Sequence, residues 1–260
     1  MAGYVYPPVV IALKTLWRAM GLRFDFRGQE NLPKLGEGGA VLAINHIGYL
    51  DFALAGTAAL PMKRYIRFMA KSEIFDNPIS GPLMRGMHHI SVNREAGSTS
   101  LVAALRALRA GEIVGIFPEA TISRSFEVKK LKSGAVRLAQ GAGVPVIPVA
   151  IWGSQRIYTK GHKKHFGRNR IPVSVTFGEP ITVPKGADIL LAEEDLRQRL
   201  ITLLTKVQSD YPDSHRGQWW APARLGGTAM SLEEAEIESA RVRQARLAKL
   251  EAKKQKKEKK

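Results

Sequence analysis

The 260-residue chain is strongly basic, with 40 Lys and Arg against 23 Asp and Glu, a formal net charge of +17 and a pI near 10.2. Apolar residues make up 45 % of it, which excludes wholesale disorder. The absence of cysteine excludes disulfides, a thiol nucleophile and a cysteine-based zinc site, and is consistent with a reducing compartment. The charge indicates a polyanionic partner: nucleic acid, an anionic membrane surface or a phosphorylated substrate.

The first predicted element is an amphipathic helix at residues 9–20, which begins after Pro7 and Pro8. The apolar stretch is shorter than the roughly 20 residues of a membrane-spanning helix and contains Lys14 and Arg18, so we predict no transmembrane span and no signal peptide. This helix either packs on the domain or lies in the membrane interface with Trp17 near the headgroups.

Strands and helices alternate through the middle of the chain. Apolar runs predict strands at residues 40–45, 65–70, 89–92, 112–117, 144–151 and 173–177. Helices are predicted at residues 52–60, 77–86, 98–110 and 130–140, with Gly111 and Gly141 as the C-terminal caps of the last two. This alternation predicts an α/β layered domain with a mixed, largely parallel central sheet flanked by helices.

The C-terminal part contains a helix at residues 190–208, and then a segment at 212–227 that is either a linker or a docked loop. Trp219 and Trp220 in that segment would either contact a membrane interface or pack on the domain. Ser231 and Glu234 form a capping box that begins a long charged helix. We therefore divide the chain into an N-terminal helix (1–25), a main domain (26–210) and a linker with a basic C-terminal helix (211–260).

The basic residues are concentrated in two segments. Residues 124–170 carry eleven basic residues and one acidic residue, a net +10, and residues 241–260 carry ten basic and two acidic residues, a net +8. The lysine-rich end is either solvated or contacts an anionic bilayer. The charge therefore belongs to the predicted domain as well as to the C-terminal helix.

Polar residues follow the predicted strand at 40–45. His46 and Asp51 can meet if the chain turns at Gly48. The carboxylate would then fix the imidazole tautomer and stabilise its protonated form, which leaves the other ring nitrogen as a general base. The alternative is that Asp51 only caps the following helix.

A second polar segment follows the predicted strand at 112–117 and reads Phe-Pro-Glu-Ala-Thr-Ile-Ser-Arg over residues 117–124. Ligands usually bind at such strand ends in α/β folds, so Glu119 and Thr121 can bind a polyol or a phosphate. The alternative is a polar surface loop.

Together, four blocks resemble the glycerophospholipid acyltransferase family of 1-acyl-sn-glycerol-3-phosphate (lysophosphatidate) acyltransferases. They are Asn-His-x4-Asp at 45–51, Gly-Met-His-His-Ile-Ser-Val-Asn-Arg at 86–94, Phe-Pro-Glu-x-Thr-x-Ser at 117–123, and Val-Pro-Val-Ile-Pro-Val at 144–149. The resemblance covers about residues 40–180.

The resemblance implies the catalytic residues His46 and Asp51. His46, oriented by Asp51, would take the proton from the free hydroxyl of lysophosphatidate, which attacks the thioester of acyl-CoA or an acyl carrier protein and yields phosphatidate. Neither a metal nor a cofactor beyond this thioester co-substrate is implied. His162 and His165 have a suggestive spacing, but no carboxylate or cysteine clusters with them.

The same resemblance implies a substrate site. Lys71, Arg94 and Lys132 would bind the phosphate of the acceptor, and Glu119 and Thr121 would complete the glycerol-phosphate site. The alternatives are surface charge for the two lysines and an ion pair for Arg94. Candidates for the walls of an apolar acyl groove, each otherwise a core residue, are Leu50, Phe52, Phe75, Leu83 and Met84.

The sequence departs from the family pattern in the third block, where Ala120 replaces a glycine and Ile122 replaces an arginine. Another acceptor therefore stays open: glycerol 3-phosphate, a different lysophospholipid or a glycolipid. The implied partners are the acyl donor, a lysophospholipid and an anionic membrane surface, with the protein peripheral on the cytoplasmic face and not bound to nucleic acid. The rival is a non-enzymatic basic protein that binds nucleic acid or membranes, although no nucleic-acid-binding motif is found.

Overall fold

The computed structural model describes residues 4–93 and 97–258. The strands are β1 (Arg23–Arg27), β2 (Ala40–Ile44), β3 (Ile66–Lys71), β4 (Ile90–Val92), β5 (Ile113–Ile116), β6 (Val146–Trp152) and β7 (Pro172–Phe177). The helices are α1 (Tyr6–Met20), α2 (Asp51–Ala59), α3 (Ser72–Phe75), α4 (Ser80–Gly86), α5 (Gly97–Arg109), α6 (Gly134–Ala142), α7 (Ile189–Ser209) and α8 (Leu232–Glu258).

The strands form one seven-stranded sheet in the order β1-β7-β6-β2-β5-β3-β4. The pairs from β6 to β4 are all parallel, β1 is parallel to β7, and β6 and β7 are antiparallel. The predicted mixed, largely parallel sheet is therefore confirmed. The edge strand β1 was not predicted.

The sheet is buried on both faces because the side chains of its strands alternate between two apolar layers. In β2, Val41 and Ala43 face the layer that also contains residues of α5, α6 and α7, whereas Leu42 and Ile44 face the layer formed with α1 and α2. All five residues of β2 are completely buried. The continuous apolar runs that predicted these strands thus have a direct structural cause.

Local sequence signals set most helix ends. α1 begins with prolines in its first turn and ends at Gly21, which has a left-handed φ of 66°. The capping box of α8 is present: the Ser231 N–H donates to Glu234 Oε2 at 2.8 Å, and the Glu234 N–H donates to Ser231 Oγ at 3.1 Å. The predicted cap at Gly141 is wrong, because α6 continues to Ala142 and Gly143 adopts the left-handed conformation instead.

The N-terminal helix and the segment at residues 212–227 pack on the domain. Trp17 is buried and its Nε1 donates to Thr57 Oγ1 of α2 at 3.1 Å, so the expectation that Trp17 lies near lipid headgroups is wrong. Residues 212–227 form a docked loop in which Trp220 is buried and its carbonyl accepts from Gln155 Nε2 at 3.1 Å. Among residues 4–93 and 97–258, none of the helices combines the length and the apolarity needed to cross a membrane.

Candidate active site

The polar loops converge at the carboxyl ends of the central parallel strands. β2, β5 and β6 are parallel neighbours, and Ala43 of β2 is level with Ile116 of β5 and Pro148 of β6. Their carboxyl ends therefore bring together the loops at residues 45–51, 117–124 and 153–160, in the position where α/β sheets bind ligands.

The predicted His46–Asp51 pair is formed in the structure. His46 Nδ1 lies 2.9 Å from Asp51 Oδ2, and the imidazole stacks on the Phe117 ring with 4.2 Å between centroids. Asp51 is completely buried, whereas the His46 side chain is 20 % exposed. Because the carboxylate is an acceptor, Nδ1 donates the hydrogen bond, which leaves Nε2 as the ring nitrogen that Asp51 does not engage.

Asp51 is held by three further donors. The backbone N–H groups of Ile47 and Gly48 donate to Oδ2 at 2.8 and 2.9 Å, and Ser154 Oγ donates to Oδ1 at 2.5 Å. A Cβ at position 48 would lie 3.0 Å from Ser154 Oγ, which explains the glycine. The carboxylate therefore closes its own preceding turn and orients His46, rather than acting as a simple helix cap.

Glu119 is buried behind His46. Its Oε1 accepts from the His46 backbone N–H at 2.8 Å, and its Oε2 accepts from the Lys129 N–H at 3.2 Å. Burial raises the pKa of Glu119 to about 7, partly opposed by the nearby positive charge of Lys129. Glu119 thus fixes the backbone of the histidine loop.

The other predicted binding residues differ in their exposure and in the contacts that they make. Thr121 is exposed and its Oγ1 accepts from Lys129 Nζ at 2.6 Å. Lys71 is half-buried at the carboxyl end of β3, on the same edge as His46. Lys132 is exposed, and its backbone N–H donates to the Pro118 carbonyl at 3.0 Å. Arg94 lies outside the described residues.

The two departures from the family pattern have different structural consequences. Ala120 has a φ of 60°, a conformation that favours glycine, so its Cβ costs free energy here. Ile122 is 3 % exposed and belongs to the interior, so no cation could be accommodated in its place without rearrangement. Arg124, two residues later, is only half-buried.

Sequence reasoning missed Ser154 and Thr159. Ser154 holds Asp51, and Thr159 Oγ1 donates to the Ile47 carbonyl at 2.6 Å. Both residues follow β6, so the only sequence signal for them was a polar stretch directly after a predicted strand.

An apolar groove lies between α1, α2 and β3. It is lined mainly by apolar and aromatic side chains, among them Val9, Leu13, Phe52, Phe68 and His89. A series of ring contacts connects it to His46: Phe117 lies 6.2 Å from Phe68, and Phe68 lies 5.9 Å from Phe52.

Of the five residues predicted to form the walls of an acyl groove, only Phe52 lines this one. Phe75 and Met84 are buried, Leu50 packs against the core, and Leu83 is exposed.

The two adjacent histidines after α4 have separate structural roles. His88 adopts a left-handed φ of 57° where the chain turns into β4. His89 is buried, and its Nδ1 accepts the Phe68 N–H at 3.1 Å. Burial lowers the pKa of His89 to about 4, helped by the positive charge of Arg67. His89 is therefore a neutral residue beside the groove.

Within residues 4–93 and 97–258, no group of three or more His, Asp or Glu side chains is arranged to hold a metal ion. His162 stacks on the ring of Trp219 with 3.9 Å between centroids, so it packs against that ring rather than pairing with His165.

A larger cleft lies at the amino ends of the parallel strands, where the buried Arg64 donates to four carbonyl groups. It is separated from His46 by the length of the strands.

Comparisons with known proteins agree with the fold and identify the family. The family model described as Acyltransferase matches residues 23–152, and this chain belongs to that family. The protein is thus an enzyme, an acyltransferase.

Its relatives include 1-acyl-sn-glycerol-3-phosphate acyltransferases. The protein of that name from Bacillus subtilis is 33 % identical over 69 % of this chain and 87 % of its own length. The one from Borreliella burgdorferi is 28 % identical over 56 % of this chain, which spans 57 % of that protein. The crystal structure of the 1-acyl-sn-glycerophosphate acyltransferase PlsC from Thermotoga maritima shares the fold, with a TM-score of 0.62 and 21 % identity over 81 % of this chain and 92 % of that one.

Proposed function

We propose that this enzyme transfers an acyl group from a thioester, acyl-CoA or acyl carrier protein, to the free hydroxyl of lysophosphatidate and forms phosphatidate. The 2.9 Å contact between His46 Nδ1 and the buried Asp51 carboxylate is the observation that carries the proposal. The similarity to 1-acyl-sn-glycerol-3-phosphate acyltransferases supports the choice of acceptor.

In the proposed reaction, His46 Nε2 accepts the proton of the acceptor hydroxyl as its oxygen attacks the thioester carbonyl. Asp51 stabilises the imidazolium that forms. When the tetrahedral intermediate collapses, the carbon–sulfur bond breaks and Nε2 returns the proton to the leaving thiolate. The products are an ester and a free thiol, so no cofactor other than the thioester co-substrate is required.

The proposed binding residues contribute in different ways. Lys71 and Lys132, with Arg94, supply positive charge for the acceptor phosphate. Glu119 supports the site indirectly, since both of its carboxylate oxygens accept backbone N–H groups. Thr121 is exposed at the same loop and can meet the glycerol moiety.

The acyl chain is proposed to occupy the apolar groove between α1, α2 and β3, because burial there removes its methylene groups from water. We further propose that the enzyme is peripheral on the cytoplasmic face of an anionic membrane. Tyr4 and Ile11 of the N-terminal segment are exposed and apolar, and Lys14 and Arg18 lie on the same helix.

A panel of acceptors tests the proposal. Purified enzyme is supplied with one acyl-CoA and, in separate reactions, lysophosphatidate, glycerol 3-phosphate, a different lysophospholipid and a glycolipid. We expect the highest kcat/KM with lysophosphatidate. Transfer to one of the other acceptors without transfer to lysophosphatidate would overturn the proposed acceptor and leave the family chemistry intact.

A further inference from the structure

Four cationic side chains lie where the parallel strands end, on the same side of the sheet as His46. Lys71 ends β3, Arg124 and Lys129 lie on the loop after β5, and Lys160 lies on the loop after β6. Each of the four is half-buried. Only Lys129 has a described polar partner, at Thr121, and within the described residues the other three form no ion pair.

Lys160 is held close to the catalytic loop by its neighbours. The Tyr49 N–H donates to the Tyr158 carbonyl at 2.9 Å, and Thr159 Oγ1 donates to the Ile47 carbonyl at 2.6 Å. These two bonds tie residues 158 and 159 to the turn between His46 and Asp51. The backbone that carries Lys160 is therefore fixed with respect to the general base.

Arg124 lies against the loop that carries Lys160. The Ser123 N–H donates to the His46 carbonyl at 2.7 Å, which fixes the start of this segment. Arg124 Nη1 lies 2.9 Å from the position that a Cβ at Gly161 would occupy, so its guanidinium lies against the Lys160 loop.

The electrostatics of the cluster are unbalanced. Burial lowers the pKa of Lys160, and the positive charges of Lys129, Arg124 and Lys71 lower it further. No carboxylate is among the groups that act on Lys160. Glu119 and Glu236 act on Lys129, but only cations act on Lys160. The positive charges around Lys160 therefore repel one another, and a bound anion relieves that repulsion.

We propose that Lys160 and Arg124 bind a phosphate group of a substrate beside His46. This inference rests on the proposed function of the site, which it deepens. Arg124 provides planar paired donors and Lys160 a compact charge. The phosphate belongs either to the acceptor or to the coenzyme A of the donor.

The test compares Lys160→Met, which removes the charge and retains the length, with Lys160→Arg and with the control Lys163→Met on the same exposed loop. Each variant is assayed with lysophosphatidate or monoacylglycerol as the acceptor, and with acyl-CoA or an acyl-N-acetylcysteamine thioester as the donor. We expect Lys160→Met to lower kcat/KM about ten- to a hundredfold, Lys160→Arg to restore most of it, and Lys163→Met to change little.

The substrate pairs identify the source of the phosphate. A loss confined to reactions with lysophosphatidate assigns the acceptor phosphate, and a loss confined to reactions with acyl-CoA assigns the donor. Equal losses with all four pairs, or no loss, would overturn the inference. Lys160→Gln replaces the Met variant if that variant does not fold.

A binding measurement separates this inference from the proposed function. If wild-type protein transfers no acyl group in any pair, the proposed function fails. Calorimetric titration with glycerol 3-phosphate and with coenzyme A then decides the inference. Weaker binding of either ligand by Lys160→Met than by Lys163→Met supports it, and equal binding of both contradicts it.

Discussion

Replacing Glu119 with Gln changes how stability depends on pH. Glu119 is almost completely buried, and its carboxylate accepts the N–H groups of His46 and Lys129. Gln has nearly the same shape and cannot ionise. The substitution therefore removes the cost of burying a charge at this position. The amide NH2 group of Gln cannot accept a hydrogen bond, so one of the two N–H groups loses its acceptor.

The size of the effect follows from the pKa of Glu119. Burial raises it from 4.5 to about 7, so the folded protein holds this proton more tightly than the unfolded chain does. Stability contributed by the protonated group is fully present below about pH 4.5 and is lost as the pH rises to about 7. At 1.36 kcal/mol for each pKa unit, the loss is about 3 kcal/mol.

The assay is urea denaturation of wild type and Glu119→Gln at pH values from 4.5 to 8. The pH dependence of wild-type stability alone is not informative, because His89 makes the protein more stable as the pH rises over much of the same range. The pKa of His89 is lowered to about 4. The difference between the two proteins isolates Glu119. We expect the Gln variant to gain about 3 kcal/mol relative to wild type between pH 4.5 and 7. Parallel profiles would refute the raised pKa and the burial argument behind it.

Three further predictions concern single side chains. His89→Gln should remove a contribution to stability that increases with pH. In the same denaturation series, the free energy of unfolding of wild type should rise by about 3 kcal/mol relative to that of the variant as the pH rises from 4 to 6.5. Ser154→Ala removes one donor from the buried Asp51 carboxylate and should lower the free energy of unfolding by about 1.5–3 kcal/mol. It should also lower kcat more than the acceptor KM, and an unchanged kcat would contradict a positioning role. Ala120→Gly relieves the left-handed φ of 60° and should stabilise the protein by about 1 kcal/mol in the same assay; destabilisation would contradict the strain.

The sequence predicted the central strands because they are buried on both faces. β2 and β6 consist almost entirely of apolar residues, and every residue in them is buried. The edge strand β1 has the sequence Arg-Phe-Asp-Phe-Arg and is largely exposed. Its charged residues interrupt the apolar run by which the other strands were predicted. The start of α6 was predicted too early, at residue 130 instead of Gly134, because the preceding residues are bound to the site loop, as in the bond from Lys132 to Pro118.

The site was only partly predictable for a similar reason. His46 and Asp51 are five residues apart, so their contact could be anticipated from the turn at Gly48. Ser154 reaches Asp51 only because β6 pairs with β2, about a hundred residues away in sequence. No local sequence pattern indicates that β6 pairs with β2.

The most direct test of the account is the kcat of His46 variants. His46→Ala removes the general base, and His46→Asn removes it while its amide can still donate to Asp51. His165→Ala, on the exposed loop, is the control. With lysophosphatidate and acyl-CoA at saturation, both His46 variants should lose about 10²- to 10⁴-fold in kcat, while the kcat of the control and the unfolding midpoints of the control and of His46→Asn change little. A His46→Asn enzyme within about threefold of wild type would contradict general-base catalysis by this residue.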